Sequence, residues 1–339
     1  MAEATSVPTL NPTIGAPPAK DHSLGVMQMP KLPHTEYLKL SAIVLTNIGS
    51  VIPVLDVPRL EKPFHSDIDI IVAMSMSALL PLLKQLFPDA KSSVNGTCCS
   101  MVIHGAQVDF IAVEHPGMGA LFYTNSFSLP MCFLMRGTPF IFTSTGLYLK
   151  TRFGTNFVLS QDPERVCVFL GITLETLRAV KNADELFVLL RSSWLYDSQT
   201  ILGVSPDNKD MNRDLMMDFC TFCKANPATA NVPSEDEAIS FFGRQEAYQA
   251  FIAEETEKVR LEAIRKDRES KQTDVKKKIS ASITAEGVIG KKVGIMFNAF
   301  KAWIASNKGM PYEEWAQTNP NVEETFQEFN PRAPSSKKP

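Results

Sequence analysis

Residues 65–74 read HSDIDIIVAM, and this stretch decides how the rest of the chain is read. Its alternation predicts a β-strand entering a buried run, with Asp67 and Asp69 aimed to one face and Ile68 and Ile70 to the other. Two carboxylates held side by side raise each other's pKa, a conflict that a divalent cation removes. Oxygen ligands on a rigid strand suit Mg²⁺, which takes one or two carboxylates and completes its shell with water and substrate phosphates. A site for two ions roughly 3.5–4 Å apart needs a further carboxylate to share between them. Asp109, in QVDFIAVE over 107–114, supplies it, because an acidic residue in so apolar a run is costly unless paired or metal-bound. A DxD pattern also arises as a solvated strand edge; the second acidic strand is what favours a site.

Outward from this stretch, short β-rich runs alternate with helical ones between about residues 36 and 172. IDIIVAM, SALLPLLKQLF, MVIHG and QVDFIAVE follow one another, with Asn95-Gly96 as a turn. The alternation predicts an α/β (α+β) module on a mixed sheet. From about Thr173 nearly every run is helical (TLETLRAVKN, ADELFVLLRSSWL, DMNRDLMMDFCTFCKA), which predicts an all-helical C-terminal domain. The expected organisation is a disordered arm over 1–33, the α/β domain over 34–172, the helical domain over 173–329 and a disordered tail over 330–339.

Composition narrows the classes. The chain has 339 residues, 44% hydrophobic and 21% charged, enough to bury two cores. A net charge of -3 excludes global attraction to nucleic acid, so any such binding rests on a local patch. No run of apolar residues is long enough to span a membrane and the N-terminus lacks a signal-peptide pattern, so an intracellular protein, cytoplasmic or nuclear, with no membrane partner is expected. Six cysteines fit reduced thiols, and the CTFC at 220–223 has no second pair for a zinc site and reads as a buried helical face. His65 and His104 read as hydrogen-bonded neighbours of the acidic strands, and Trp194, Trp303 and Trp315 as packing anchors. The charged run over 257–278 reads as a solvated helix with i, i+4 pairs such as Glu262 with Lys266. Lys276–Lys278, Lys291, Lys292 and Lys301 lie close to an amphipathic helix and would offer sequence-independent contacts to a phosphate backbone.

The order S-D-I-D-I-I-V, then a helix, then V-D-F-I resembles the catalytic core of the DNA polymerase beta superfamily of nucleotidyltransferases. GALFYTNSFSLPMCFLMRG over 119–137 resembles the stretch of family X polymerases that closes over the incoming nucleotide, and FTSTGLYLK and SQDPERVCVFLGI resemble the end of that family's thumb. The resemblance covers roughly residues 48–172, with the order of four motifs preserved. It implies a palm with a mixed sheet and a thumb-like part. Asp67 and Asp69 match the carboxylates that bind both metals, and Asp109 matches the third, which acts on the attacking 3′-hydroxyl. Gly49 and Ser50 match a Gly-Ser turn that holds the triphosphate, Ser66 a small residue before the acidic pair, and Arg59 and Lys62 basic residues for the same phosphates. Phe122, Tyr123, Thr124 and Ser126 match the sugar and base platform. Three departures stand out. About seven extra residues separate Gly49-Ser50 from Asp67, Asn125 replaces the turn glycine, and Pro130 and Leu134 replace an Asn and an Arg that check the minor groove. The chain also shows no room before Ile48 for the amino-terminal domains of repair polymerases.

The expected function is metal-dependent transfer of a nucleotide from an NTP or dNTP to a nucleic-acid 3′-hydroxyl, with two Mg²⁺ ions, or Mn²⁺, as cofactors. The acceptor is left open between DNA, as in family X polymerases or terminal transferases, and an RNA or tRNA 3′ end without template. A catalytically inactive nucleic-acid-binding module on the same fold is the third reading. Oligomeric state is not legible.

Overall fold

The computed structural model describes residues 18–20, 28–49, 51–205, 207–285, 287–319 and 321–329. Strands β1 (Pro18–Lys20) and β2 (Gln28–Pro30) pair antiparallel, and β3 (Leu32–Pro33) pairs with β4 (Phe64–His65). Between them lies helix α1 (His34–Ile48). The described end of the expected arm is therefore tied to the strand that leads into the acidic stretch; the rest of 1–33, and the tail over 330–339, lie outside the described residues.

The central sheet has four strands. After β5 (Ile68–Val72) come helix α2 (Met76–Leu86) and the strands β6 (Ser92–Asn95), β7 (Cys98–Ile103) and β8 (Ala106–Ala112). Their spatial order is β5-β8-β7-β6: β6, β7 and β8 form an antiparallel meander, and β8 lies parallel to β5. The expected mixed sheet is present. A hairpin cannot join parallel strands, so α2 and the β6–β7 hairpin occupy the crossover. Ser75 caps α2, its hydroxyl accepting from the Ala78 N–H at 3.4 Å.

Period-2 alternation gives the sheet two distinct faces. Ile68, Ile70 and Val72 with Val108, Phe110, Ala112, Cys99, Met101 and Ile103 face α1 and α2, joining Leu40, Val44, Ile48, Leu79 and Leu83 in one core. Full burial of side chains such as Val108 and Phe110 contributes about 1.5–3 kcal/mol each. The opposite face carries Ile71 and Ile111, covered with Val113 by Leu55, Val57, Cys98 and Tyr123. The segment before β4 runs along the free edge of β5, through a Val54–Val72 bridge and hydrogen bonds from Leu55 N–H to Ile71 O (2.8 Å) and Ala73 N–H to Pro53 O (2.8 Å).

Helix α3 (Pro116–Tyr123) follows β8, then a short 3₁₀ turn (Thr124–Ser126) and α4 (Ser128–Leu134). A three-stranded antiparallel sheet comes next, β9 (Phe140–Thr143), β10 (Gly146–Lys150) and β11 (Asn156–Ser160), with β10 in the middle. Beyond it the described chain is helical: α5 (Pro163–Phe169), α6 (Leu174–Ala179), α7 (Ala183–Arg191), α8 (Ser198–Leu202), α9 (Asp214–Ala225), α10 (Glu235–Phe241) and α11 (Gln245–Ala285). Three more helices end it, α12 (Lys291–Lys308), α13 (Tyr312–Thr318) and α14 (Val322–Phe329).

The chain divides into two compact units, Met1–Tyr248 and Gln249–Pro339. The change from mixed to helical structure near Thr173 thus falls inside the first unit. There Trp194 packs between Phe140 and Phe169 and donates its indole N–H to the Phe169 carbonyl. The second unit has its own core of Ile279, Ile283, Phe300, Ile304, Trp315 and Phe326. The charged stretch of α11 is laced with ion pairs, including Arg265 with Glu262 (2.6 Å) and Lys266 with Glu262 (3.7 Å). Lys301 is engaged within the second unit, 2.6 Å from the Glu313 carboxylate.

Candidate active site

The acidic cluster follows directly from strand register. Parallel pairing of β5 with β8 sets Asp69 beside Asp109, and alternation brings Asp67, one step before β5, to the same side. Carboxylate oxygens of Asp67, Asp69 and Asp109 lie within 4.8 Å of one another. Burial, then the charges of Asp69 and Asp109, push the Asp67 carboxyl up to about 7, although the Ser66 hydroxyl hydrogen-bonds it and Lys62 opposes the shift. Burial raises Asp69 as well, against the pull of the Arg59 guanidinium. Three carboxylates offering hard oxygen donors within 4.8 Å of one another could hold a divalent cation.

Neighbouring groups hold the carboxylates in place. Gln107, two residues before Asp109 on the same face of β8, donates its side-chain amide to both Asp109 oxygens at 3.0 and 3.2 Å. Arg59 lies against Asp69, its Nη1 3.7 Å from Asp69 Oδ2. Lys62 and Ser66 are exposed at the rim. Tyr123 closes the other side, where burial and the Asp69 charge raise its phenol. Tyr37 of α1 also reaches the site, for the charges of Arg59, Asp69 and Asp67 act on its buried hydroxyl. Its ring stacks on His65, centroids 3.8 Å apart, and His34 Nδ1 lies 3.0 Å from His65 Nε2. Burial, helped by Lys62 and His34, pushes His65 down to about 4, so the imidazole is neutral and engaged with its neighbours.

The other expected residues have the following surroundings. Gly49 follows the last residue of α1, at the opposite end of that helix from His34, with φ +51° and its N–H donated to the Leu45 carbonyl at 3.0 Å. Ser50 lies outside the described residues. Thr124 is fully buried and donates its hydroxyl to the Ala120 carbonyl at 2.7 Å. Ser126 is half-buried with φ +56°, and Phe122 packs edge-on to Tyr123 and against Phe142. Pro130 and Leu134 are both buried in α4. Cys223 is buried on α9 and both cysteines of the CTFC are free thiols.

Two contributors escaped the sequence reading. Gln107 was legible in principle, because alternation places it beside Asp109. Arg213, whose charge also acts on Asp69, was not. It precedes α9, which is drawn toward the cluster where Asp214 pairs with Lys31 at 3.6 Å and the adjoining Leu32 pairs with His65.

No protein-family model matches the chain, and no curated protein matches it. Among solved structures it is similar to Leishmania infantum polymerase beta in a ternary gap complex, at 15% identity and a TM-score of 0.29, over 54% of this chain and 71% of that one. Among the described residues no helix is long and apolar enough to cross a membrane.

Proposed function

We propose that the chain is a divalent-metal-dependent nucleotidyltransferase that joins a nucleotide from a nucleoside triphosphate to the 3′-hydroxyl of a nucleic acid. The observation that carries this reading is the convergence of Asp67, Asp69 and Asp109 on one face of a parallel strand pair, with Arg59 beside them. The order of motifs along 48–172 supports it. Asp67 and Asp69 would hold the metal, and Asp109, oriented by Gln107, would orient the acceptor hydroxyl. Bound ions would supply Lewis-acid charge at the reacting phosphoryl group. The acceptor oxygen would bond to the α-phosphorus, its proton passing to the Asp109 carboxylate, as the bond from the α-phosphorus to the α–β bridging oxygen breaks and pyrophosphate leaves with the bonding pair. Lys62 and Arg213, whose charges act on Asp69, would offer positive charge for the triphosphate. Positioning and charge neutralisation carry such a reaction.

Burial of Pro130 and Leu134 favours an untemplated acceptor, since neither side chain is free to touch a base pair. The test is incorporation of labelled NTPs and dNTPs, with Mg²⁺ or Mn²⁺, onto single-stranded and primer–template DNA and RNA. Incorporation onto single strands that disappears in Asp67→Asn is the expected result. Incorporation only on primer–template would reverse the acceptor assignment, and none on any acceptor would leave a binding module as the better reading.

A further inference from the structure

Residues 56–61 cross the edge of the acidic cluster, and their contacts close a circuit through three other parts of the first unit. Arg59 donates from Nη1 to the Tyr123 carbonyl at 3.1 Å and from Nη2 to the Asp69 carbonyl at 3.3 Å. Beyond Tyr123, the Asn125 backbone N–H donates to the Pro58 carbonyl at 2.8 Å. The Asn125 side chain donates from Nδ2 to the carbonyls of Leu177 (2.8 Å) and Val180 (2.9 Å) at the end of α6. Arg178 of α6 pairs with the Asp56 carboxylate at 3.1 Å, and the Glu61 N–H donates to the Lys181 carbonyl at 2.7 Å. Acidic strand, turn and helix are joined by one short segment.

Asn125 shows which part of this circuit matters. It is fully buried at φ +51°, and its Oδ1 has no hydrogen-bond partner. A left-handed backbone and an idle buried acceptor both oppose folding. The side chain acts through its two N–H groups alone, and both are given to α6.

We infer that Arg59 and Asn125 are positioning residues, a latch that ties the strand carrying Asp69 to the 123–126 turn and to α6, and so fixes the Asp69 carboxylate within the cluster. Its consequence for metal binding rests on the function proposed above; the latch itself does not. Arg59 acting only as a charge predicts the opposite sign. Removing a guanidinium beside three carboxylates strengthens their attraction for a cation. Removing a group that orients a metal-binding carboxylate weakens it, by about tenfold or more.

The experiment compares the full chain with Arg59→Gln, Arg59→Lys and Asn125→Gly. The last keeps the left-handed backbone, which glycine adopts freely, and deletes only the amide. Mn²⁺ affinity is read from the resonance of the free ion, and amide hydrogen exchange from peptides spanning 56–61 and 174–181. The latch predicts weaker Mn²⁺ binding in all three variants, no rescue by lysine, and faster exchange in both peptides whichever residue is changed. Tighter or unchanged Mn²⁺ binding in Arg59→Gln would overturn it, as would exchange that quickens only at each residue's own partners. If the unaltered chain binds no Mn²⁺, the proposed function falls and the spread of exchange alone decides the latch. Should Asn125→Gly fail to fold, the two Arg59 variants give the same decision.

Discussion

Protonation of Asp67 couples to the stability of the fold. Its carboxyl is held up to about 7 in the folded chain against an ordinary value of 3.8, so between those values the folded state keeps a proton that the unfolded state releases. Stability of the metal-free protein therefore falls as pH rises through this window and levels off above it. Asp67→Asn removes the penalty. It should melt above the unaltered protein at pH 8 without divalent cation, by a margin that shrinks toward pH 4. Saturating Mn²⁺ should narrow or reverse the order, because only the intact cluster gains from binding. Equal melting temperatures across the pH range would show that the cluster does not titrate as its burial requires. The three aspartates were legible because strand period and acidic spacing are local properties of sequence. Arg213 was not, since the reach of its charge to Asp69 depends on how the chain before α9 packs.

At the scale of elements, the site depends on how closely α3 approaches the end of β8. A Cβ on Gly119 would stand 2.7 Å from Val113 Cγ2, with the rest of that side chain within 2.9 Å. Gly119→Ala should destabilise the first unit by about 1–3 kcal/mol, read from denaturant unfolding, because a methyl group is forced into filled space. Tyr123, at the end of the same helix, should move with it, so nucleotide incorporation should fall further than Mn²⁺ affinity. A variant as stable and active as the parent would show that α3 has room to shift. The strands and helices between 68 and 112 were legible from alternation and the Asn95-Gly96 turn. Asn125 was legible as a left-handed turn residue, whereas its bonds to Leu177 and Val180 were not, because a side-chain amide carries no trace of partners more than fifty residues away.

For the whole molecule, two compact units imply two separable stabilities. Phe300 is fully buried among Ile279, Ile304, Trp315 and Phe326 in the second unit. Phe300→Ala should cost that unit about 3–5 kcal/mol while leaving Mn²⁺ affinity unchanged. Loss of Mn²⁺ binding in a variant whose first unit remains folded would mean that the units do not act independently. The sequence marked where strands give way to helices, near 173, but not where compactness divides the chain, near 248. Periodicity reports what an element is; it does not say which faces meet.

Asp69 and Asp109 touch as neighbours in a parallel pair yet lie forty residues apart in the chain. Pairings of this kind close a long loop before any contact rewards it, and they form late and slowly in folding. During synthesis the nascent chain can assemble no cluster until β8 has emerged and docked against β5. A divalent ion thus meets its full set of ligands only once these two strands have paired, which makes cation affinity a reporter of that one long-range step in folding.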